Sequence, residues 1–183
     1  TKRKENLMQA VMEKGKKSDA LESLSHEGKY LTFVLCGEEY GIEILKVREI
    51  IGIMNITPVP QTPGYMKGVI NLRGKVIPVV DLRLKFGFQE TDHTKETCII
   101  VVEVKNKLTG VLVDTVSEVL DVRGEDLEPA PHLGEGINTE IFLGMAKIKN
   151  KVKILLNIDK VLGTEEINMV ESLASLSYFW ILS

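Results

Sequence analysis

Gly68 to Gly87 reads GVINLRGKVIPVVDLRLKFG. Val69, Ile70 and Leu72 form an apolar run broken by Asn71, and Val76 to Val80 form a second run after Arg73-Gly74-Lys75. Two β-rich runs of about five residues joined by a tight turn containing glycine predict a hairpin. Gly74 supplies the positive φ that such a turn needs. Pro78 has no N–H to give to a ladder, so its strand should show an edge or a bulge there. Asp81 is placed to cap a short helical segment, Leu82 to Phe86, that stops at Gly87.

The stretch recurs 76 positions later. Gly68 falls on Gly144, Gly74-Lys75-Val76 on Asn150-Lys151-Val152, Asp81-Leu82 on Asn157-Ile158, and Phe86-Gly87 on Leu162-Gly163. Asparagine is the next best residue for the left-handed turn position and caps a helix as well as aspartate does. Upstream, a shift of 69 places Leu31 on Ile100, Phe33 on Val102, Gly41 on Gly110, Val47 on Val116, Glu49 on Glu118 and Ile50 on Val119. The extra seven residues of the second copy belong to the proline- and glycine-containing connection from Glu128 to Glu140. The chain therefore divides into a polar, weakly helical tail (1–28), a first β unit (29–90), a second (91–163), and a C-terminal helix with an apolar tail (164–183). Exchange of strands between the units is compatible with this reading. The terminal helix is marked by Thr164 as cap and by Met169, Val170, Leu173 and Leu176 at helical spacing.

Within each unit, short β runs with turns every eight to twelve residues predict a small barrel or sandwich. Turns are expected at Gly37-Glu38-Glu39 and Asn106-Lys107. The run from Cys98 to Val104 is almost continuously apolar and predicts a strand buried on both faces. A unit of roughly 60 residues makes a weak core alone, so the two should share one.

Bulk properties exclude several classes. With 183 residues, 44% of them hydrophobic, the chain suffices for a packed core. A net charge of −3 leaves no basic footprint for nucleic acid, and Arg48, Arg73 and Lys75 have no neighbouring aromatics for base stacking. Cys36 and Cys98 both lie in apolar runs and read as buried, reduced thiols. No apolar run reaches the roughly 18 residues of a membrane span. His26, His93 and His132 have no partner at metal-ligand spacing, so neither a metal nor a cofactor is expected. Gly68 to Lys75 lacks both the spacing and the Ser or Thr of a phosphate loop. Asp81 and Asp114 are the remaining carboxylate pair to consider, but Asp81 is accounted for as a cap and nothing in the sequence brings Asp114 to it. No nucleophile elbow is present, and no enzyme is predicted.

The copies differ where Asn71 and Arg73 meet Lys147 and Lys149. One reading is an ordinary hairpin with an exposed arginine. The other is a polar recognition pair beside an apolar groove, where arginine is a frequent anchor.

Glu39 to Ile50 (EYGIEILKVREI), Gly68 to Gly74 (GVINLRG), Pro78 to Arg83 (PVVDLR), Val113 to Val119 (VDTVSEV) and Pro129-Ala130-Pro131 together resemble the CheW family of chemotaxis coupling proteins. The resemblance covers about Lys29 to Ser175. The same fold occurs in CheV and in the regulatory domain of the histidine kinase CheA, but 183 residues leave no room for kinase or receiver domains. It implies two five-stranded SH3-like β-barrels around a shared core, in a mainly β protein. It implies a non-enzymatic cytoplasmic adaptor between CheA and the cytoplasmic tips of methyl-accepting chemoreceptors, reaching the membrane only through the receptors. The receptor tip is implied in a groove between the barrels, with contacts at Val47, Glu49, Gly68, Asn71, Arg73, Val116 and Val119. Kinase contacts are implied on barrel ends, at Gly52, Ile53, Asn55, His132 and Leu133. No nucleic acid is expected as a partner.

Overall fold

The computed structural model describes residues 26–130 and 138–163, together with Lys2, Glu5, Asn6, Gln9, Glu166, Asn168 and Ser172. His132, Leu133, Thr164 and the apolar end of the chain lie outside the described residues, as does most of the N-terminal tail.

The strands are β1 (Gly28–Leu35), β2 (Glu38–Glu43), β3 (Val47–Gly52), β4 (Met66–Leu72), β5 (Lys75–Asp81), β6 (Cys98–Val104), β7 (Lys107–Val113), β8 (Thr115–Val122), β9 (Leu127–Glu128), β10 (Phe142–Ile148) and β11 (Lys151–Leu156). Short helices follow β5 and β11: α1 (Leu82–Lys85) and α2 (Ile158–Val161). The Asp81 side chain accepts from the Leu84 N–H and so caps α1.

Four hairpins share one turn geometry. Both turn residues have positive φ at Cys36-Gly37, Arg73-Gly74, Lys105-Asn106 and Lys149-Asn150. This is the two-residue turn whose twist matches that of the flanking strands. Two turns thus begin one residue earlier than the sequence suggests, because glycine or asparagine occupies the second turn position. Cys36 is consequently exposed at a turn rather than buried in a strand; only Cys98 is buried.

The strands form two sheets, in the orders β8-β1-β2-β11-β10-β9 and β3-β6-β7-β5-β4. Each curls into a small barrel. In the first order, β8 and β9 lie at opposite edges yet are joined only by a 3-10 turn at Gly124–Asp126, so the sheet closes on itself. In the second, the chain leaving β3 reaches Thr57, which bridges Val69 on β4 at the far edge. Each barrel therefore has five strands in the SH3-like manner, counting β8 and β9 as one bent strand. The barrel holding β3 is called here the first barrel and the one holding β8 the second.

The sequence copies and the barrels do not coincide. The first barrel takes β3, β4 and β5 from the first copy and β6 and β7 from the second; the second barrel takes β1 and β2 from the first copy. Equivalent parallel joints sew them together, Val79 opposite Gly110 in one and Leu155 opposite Gly41 in the other. The ladder from β5 to β7 starts at Val79, so Pro78 sits just before it and its missing donor removes no bond there. β6 is buried on both faces: Ile99 and Val101 join the interior cluster of the first barrel, while Ile100, Val102 and Val104 join the large cluster shared with β1, β2, α1 and α2. Glu166, helical and buried, pairs with Lys85, whose ammonium stands 4.2 Å over the Tyr65 ring.

Gly68 and Gly144 occupy the same bulge in β4 and β10. A Cβ on Gly68 would lie 2.1 Å from the Thr57 carbonyl oxygen, and one on Gly144 2.8 Å from that of Glu128. Both glycines exist because the closing segment crosses directly over them. Gly68→Ala is therefore expected to destabilise the fold by about 4 kcal/mol or more. Gly74→Ala, at a positive φ but in open space, is expected to cost about 1 kcal/mol. Urea unfolding of the two variants measures the contrast, and equal losses would contradict the closure argument.

Candidate protein-docking site

The sheet edge β3 carries a bulge at Arg48, between Val47 opposite Val102 and Glu49 opposite Val101. The bulge leaves both Arg48 and Glu49 with ion-pair partners. Arg48 pairs with Glu103 on β6, and Glu49 accepts from Arg73 Nη2 at 2.6 Å. Arg73 lies at the tip of the β4–β5 hairpin and its side chain is 73% exposed, against 27% for Glu49. An ion pair this open to water contributes about 1 kcal/mol at most and is readily exchanged for a partner's group. Asn71, also exposed, braces the turn by accepting the Gly74 N–H at 2.8 Å. Lys147 in the second copy shows that the turn forms without that bond.

These pairs rim an open basin at the mouth of the first barrel, with Lys75 beside them and Leu72, Ile77 and Leu108 as its apolar floor. Polar rim and apolar floor are what a protein interface needs for specificity and affinity respectively. Of the residues implied as receptor contacts, Glu49 and Arg73 line this mouth, and Asn71 lies on the same hairpin as Arg73. Val47 and Val116 are half-buried against the shared core, on equivalent strands β3 and β8. Val119 is 52% exposed on β8. Gly68 is buried beneath Thr57, which accounts for it structurally. Gly52, at the end of β3, and Ile53 and Asn55, on the closing segment between β3 and Thr57, are exposed.

Asp114 differs from the sequence expectation. Parallel pairing sets Asp81 opposite Leu112, so Asp114 comes to border the same small depression as Asp81. The two are not an acid–base pair: Arg83 Nε donates to Asp114 Oδ1 at 2.7 Å, and the Cys36 N–H donates to Oδ2 at 2.9 Å. Among the described residues no group of three or more His, Cys, Asp or Glu side chains is placed to hold a metal ion. No helix among them is long and apolar enough to cross a membrane.

The second mouth holds a cluster that the sequence reading missed. Lys153 is 4% exposed, and its ammonium lies 2.8 Å from Glu39 and 3.3 Å from Glu118. The signal was present: Lys153 interrupts an apolar strand at the position where the first copy has Ile77. The hydrogen bond from Lys153 holds the Glu39 carboxyl below its ordinary value of 4.5, against the opposing push of burial, with the charges of Lys153 and Lys151 and the Ser117 hydroxyl adding to the lowering. A carboxyl lowered by folding stabilises the fold fully above its ordinary value, and that contribution fades as acid takes the pH down through the folded value. Glu39→Gln is thus expected to lose stability at pH 7, and the gap to the parent protein should narrow below about pH 4.5. Urea titrations at pH 7 and pH 3 test this; a gap independent of pH would refute the role given to Glu39.

Comparison with known proteins places these features in a family. The profile of the CheW-like domain matches residues 29–166. The chain is 40% identical over 146 residues to the chemotaxis protein CheW of Klebsiella aerogenes, covering 80% of this chain and 88% of that one. It is 35% identical over 150 residues to the chemotaxis protein CheW of Rhizobium meliloti, covering 81% and 97%. The crystal structure of the scaffolding protein TtCheW from Thermoanaerobacter tengcongensis superposes with a TM-score of 0.69 at 35% identity, covering 76% of this chain and 95% of that one.

Proposed function

The chain belongs to the CheW-like domain family, and from that membership we propose that it is an adaptor coupling the cytoplasmic tips of methyl-accepting chemoreceptors to the histidine kinase CheA, with no catalytic step of its own. The observation that carries the reading is the mouth of the first barrel, where the exchangeable Glu49–Arg73 pair borders an apolar floor. The receptor tip docks in a groove between the barrels, along Val47 on β3 and Val116 and Val119 on β8, with Glu49 and Arg73 beside it. The regulatory domain of CheA docks on the closing segment at Gly52, Ile53 and Asn55 and on the loop containing His132 and Leu133. The protein works in the cytoplasm and meets the membrane only through the receptors.

Such an adaptor needs several modest interfaces rather than one large one. Contacts below roughly 1,200 Å² are typically transient, and linkage of several makes up the avidity. An adaptor changes kinase output only by binding the active and inactive arrangements unequally. Moving a kinase from mostly off to mostly on takes about 5 kcal/mol of differential binding, more than one small contact supplies, so the effect requires receptor, kinase and adaptor together.

Arg73→Glu sets a carboxylate beside Glu49 at an exposed position. It should cost the fold little, roughly 0.5 kcal/mol, yet weaken a receptor cytoplasmic fragment by about 2 kcal/mol or more if Arg73 is an anchor. Titration calorimetry beside circular dichroism separates the two effects; unchanged affinity in a folded variant removes Arg73 from the site. The reading as a whole is tested by reconstituting receptor-containing membranes with CheA, with and without this protein, and following phosphate transfer from ATP. The expected result is kinase activity that rises with the adaptor and responds to receptor ligand. Equal output in both preparations would refute coupling.

A further inference from the structure

β3 and β8, the strands that carry the valines of the proposed groove, each contain a bulge beside those valines. In β3 the bulge falls at Arg48, between Val47 and Glu49. In β8 it takes in Ser117 and Glu118, between Val116 opposite Phe33 and Val119 opposite Leu31. The repeat makes the two bulges equivalent, with Arg48 corresponding to Ser117 and Glu49 to Glu118.

They are held in different ways. The β3 bulge is tied by the pairs Arg48–Glu103 and Glu49–Arg73, whose arginines are largely open to water. The β8 bulge is tied from inside the protein. Thr32, fully buried on β1, donates from Oγ1 to the Glu118 carbonyl at 2.9 Å and accepts the Glu118 N–H at 3.1 Å. A side chain thus makes the bonds that a strand partner would otherwise make. Lys153 reaches across from β11, with its ammonium 3.3 Å from Glu118 Oε1 and 2.8 Å from Glu39 Oε2. Ser117 Oγ in turn donates to Glu39 Oε1 at 3.4 Å. Both bulge residues are therefore anchored, and the anchors stand on β1, β2 and β11.

The barrel itself does not require this network. The counterparts of Thr32, Lys153 and Glu39 are the apolar Val101, Ile77 and Leu108, and β3 forms its bulge over them. What the network changes is how firmly the strand is aimed. A bulge bends its strand and redirects the side chains beside it. Val116, half-buried against the shared core, and Val119, exposed, are the side chains beside this one. A buried polar network whose members are satisfied rigidifies the structure around it. A surface that is already in its bound shape loses less conformational freedom when a partner arrives, and so binds more tightly. The open pairs on β3 act in the other sense, since they exchange readily for a partner's groups.

We infer that Lys153 is a positioning residue of the receptor groove: by joining Glu118 to Glu39 it fixes the β8 bulge and presets Val116 and Val119 for docking. The inference rests on the proposed reading that the receptor tip lies along these valines. Lys153 itself is 4% exposed and acts through β8 rather than by contact. The groove then has one preset wall, β8, and one adjustable wall, β3.

Lys153→Met removes the ammonium and keeps most of the stem. The first measurement needs no receptor. Hydrogen exchange followed by NMR should show the Glu118 amide exchanging about tenfold faster or more in the variant, while the β3 amides keep their rates. An unchanged Glu118 amide overturns the inference. The second measurement titrates a receptor cytoplasmic fragment, whose affinity should fall by about fivefold or more in Lys153→Met. That loss should nearly vanish when Val119→Ala is already present and persist in full beside Arg73→Ala, because effects routed through one contact do not add. Equal losses in both backgrounds indicate a general structural defect and overturn the inference. Thr32→Val puts the first copy's residue at the clamp and should likewise loosen β8 and weaken the fragment. It carries the test if Lys153→Met does not fold, and an unaltered affinity there overturns the inference as well. A parent protein that binds no fragment, or binds it equally well with Val119→Ala, refutes the groove reading, and the exchange measurement still decides whether Lys153 fixes the bulge.

Discussion

β6 has no face to offer to water, and the fold is the solution to covering both of its sides. Alternate residues point to opposite faces of a strand. Ile99 and Val101 fill the first barrel, and Ile100, Val102 and Val104 fill the core that the barrels share. Neither sequence copy alone can cover both sides, because β3, β4 and β5 come from the first copy while β6 and β7 come from the second. The exchange of strands follows from that need. The parallel joints are short, three residue pairs between β5 and β7 and two between β2 and β11. Each joins the two copies within one barrel.

Closure of each barrel is the second constraint. Leaving one edge strand, the chain must cross to the opposite edge, and it does so over a bulge glycine. Gly68 under Thr57 and Gly144 under Glu128 are the same device used twice. This leaves the hairpin tip, with Arg73, at the first mouth, while Gly52, Ile53 and Asn55 follow from the other end of β3. Polar groups at strand ends and turns are free to vary there, because burial and ladder hydrogen bonds are satisfied deeper in the barrel.

Backbone features were the readable part of the sequence. The hairpins, the Asp81 cap, the doubly buried β6 and the repeat all follow from residue types whose backbone demands are local or periodic. The same logic misplaced Cys36: an apolar residue at the end of an apolar run looks buried, but Gly37 needs a partner of positive φ before it, and Cys36 is that residue. Side-chain partnerships were less legible. Arg73 meets Glu49 across 24 residues, and Arg83 meets Asp114 only because a parallel joint aligns β5 with β7. No periodicity announces a pairing that the tertiary fold creates. Lys153 is an intermediate case, since its place in an apolar strand was visible but its two carboxylate partners were not.

What the repeat keeps and what it changes are physically distinct. Some exposed apolar residues are kept: Ile50 and Val119 are 45% and 52% exposed, and Val76 and Val152 are both 45% exposed. Others are not: Leu45, 83% exposed, corresponds to Asp114, and Ile53, 39% exposed, to the buried Val122. Charge and hydrogen bonding differ as well, through Ile77 against Lys153, Leu108 against Glu39, and Val101 against Thr32. A duplicated unit starts with two identical surfaces, and any partner of one is a partner of the other. Separating them by new apolar contacts would disturb interiors packed at close density. Separating them by paired charges at the mouth leaves the shared core and both closures intact. That is the least disruptive way for a symmetric scaffold to acquire two different ends.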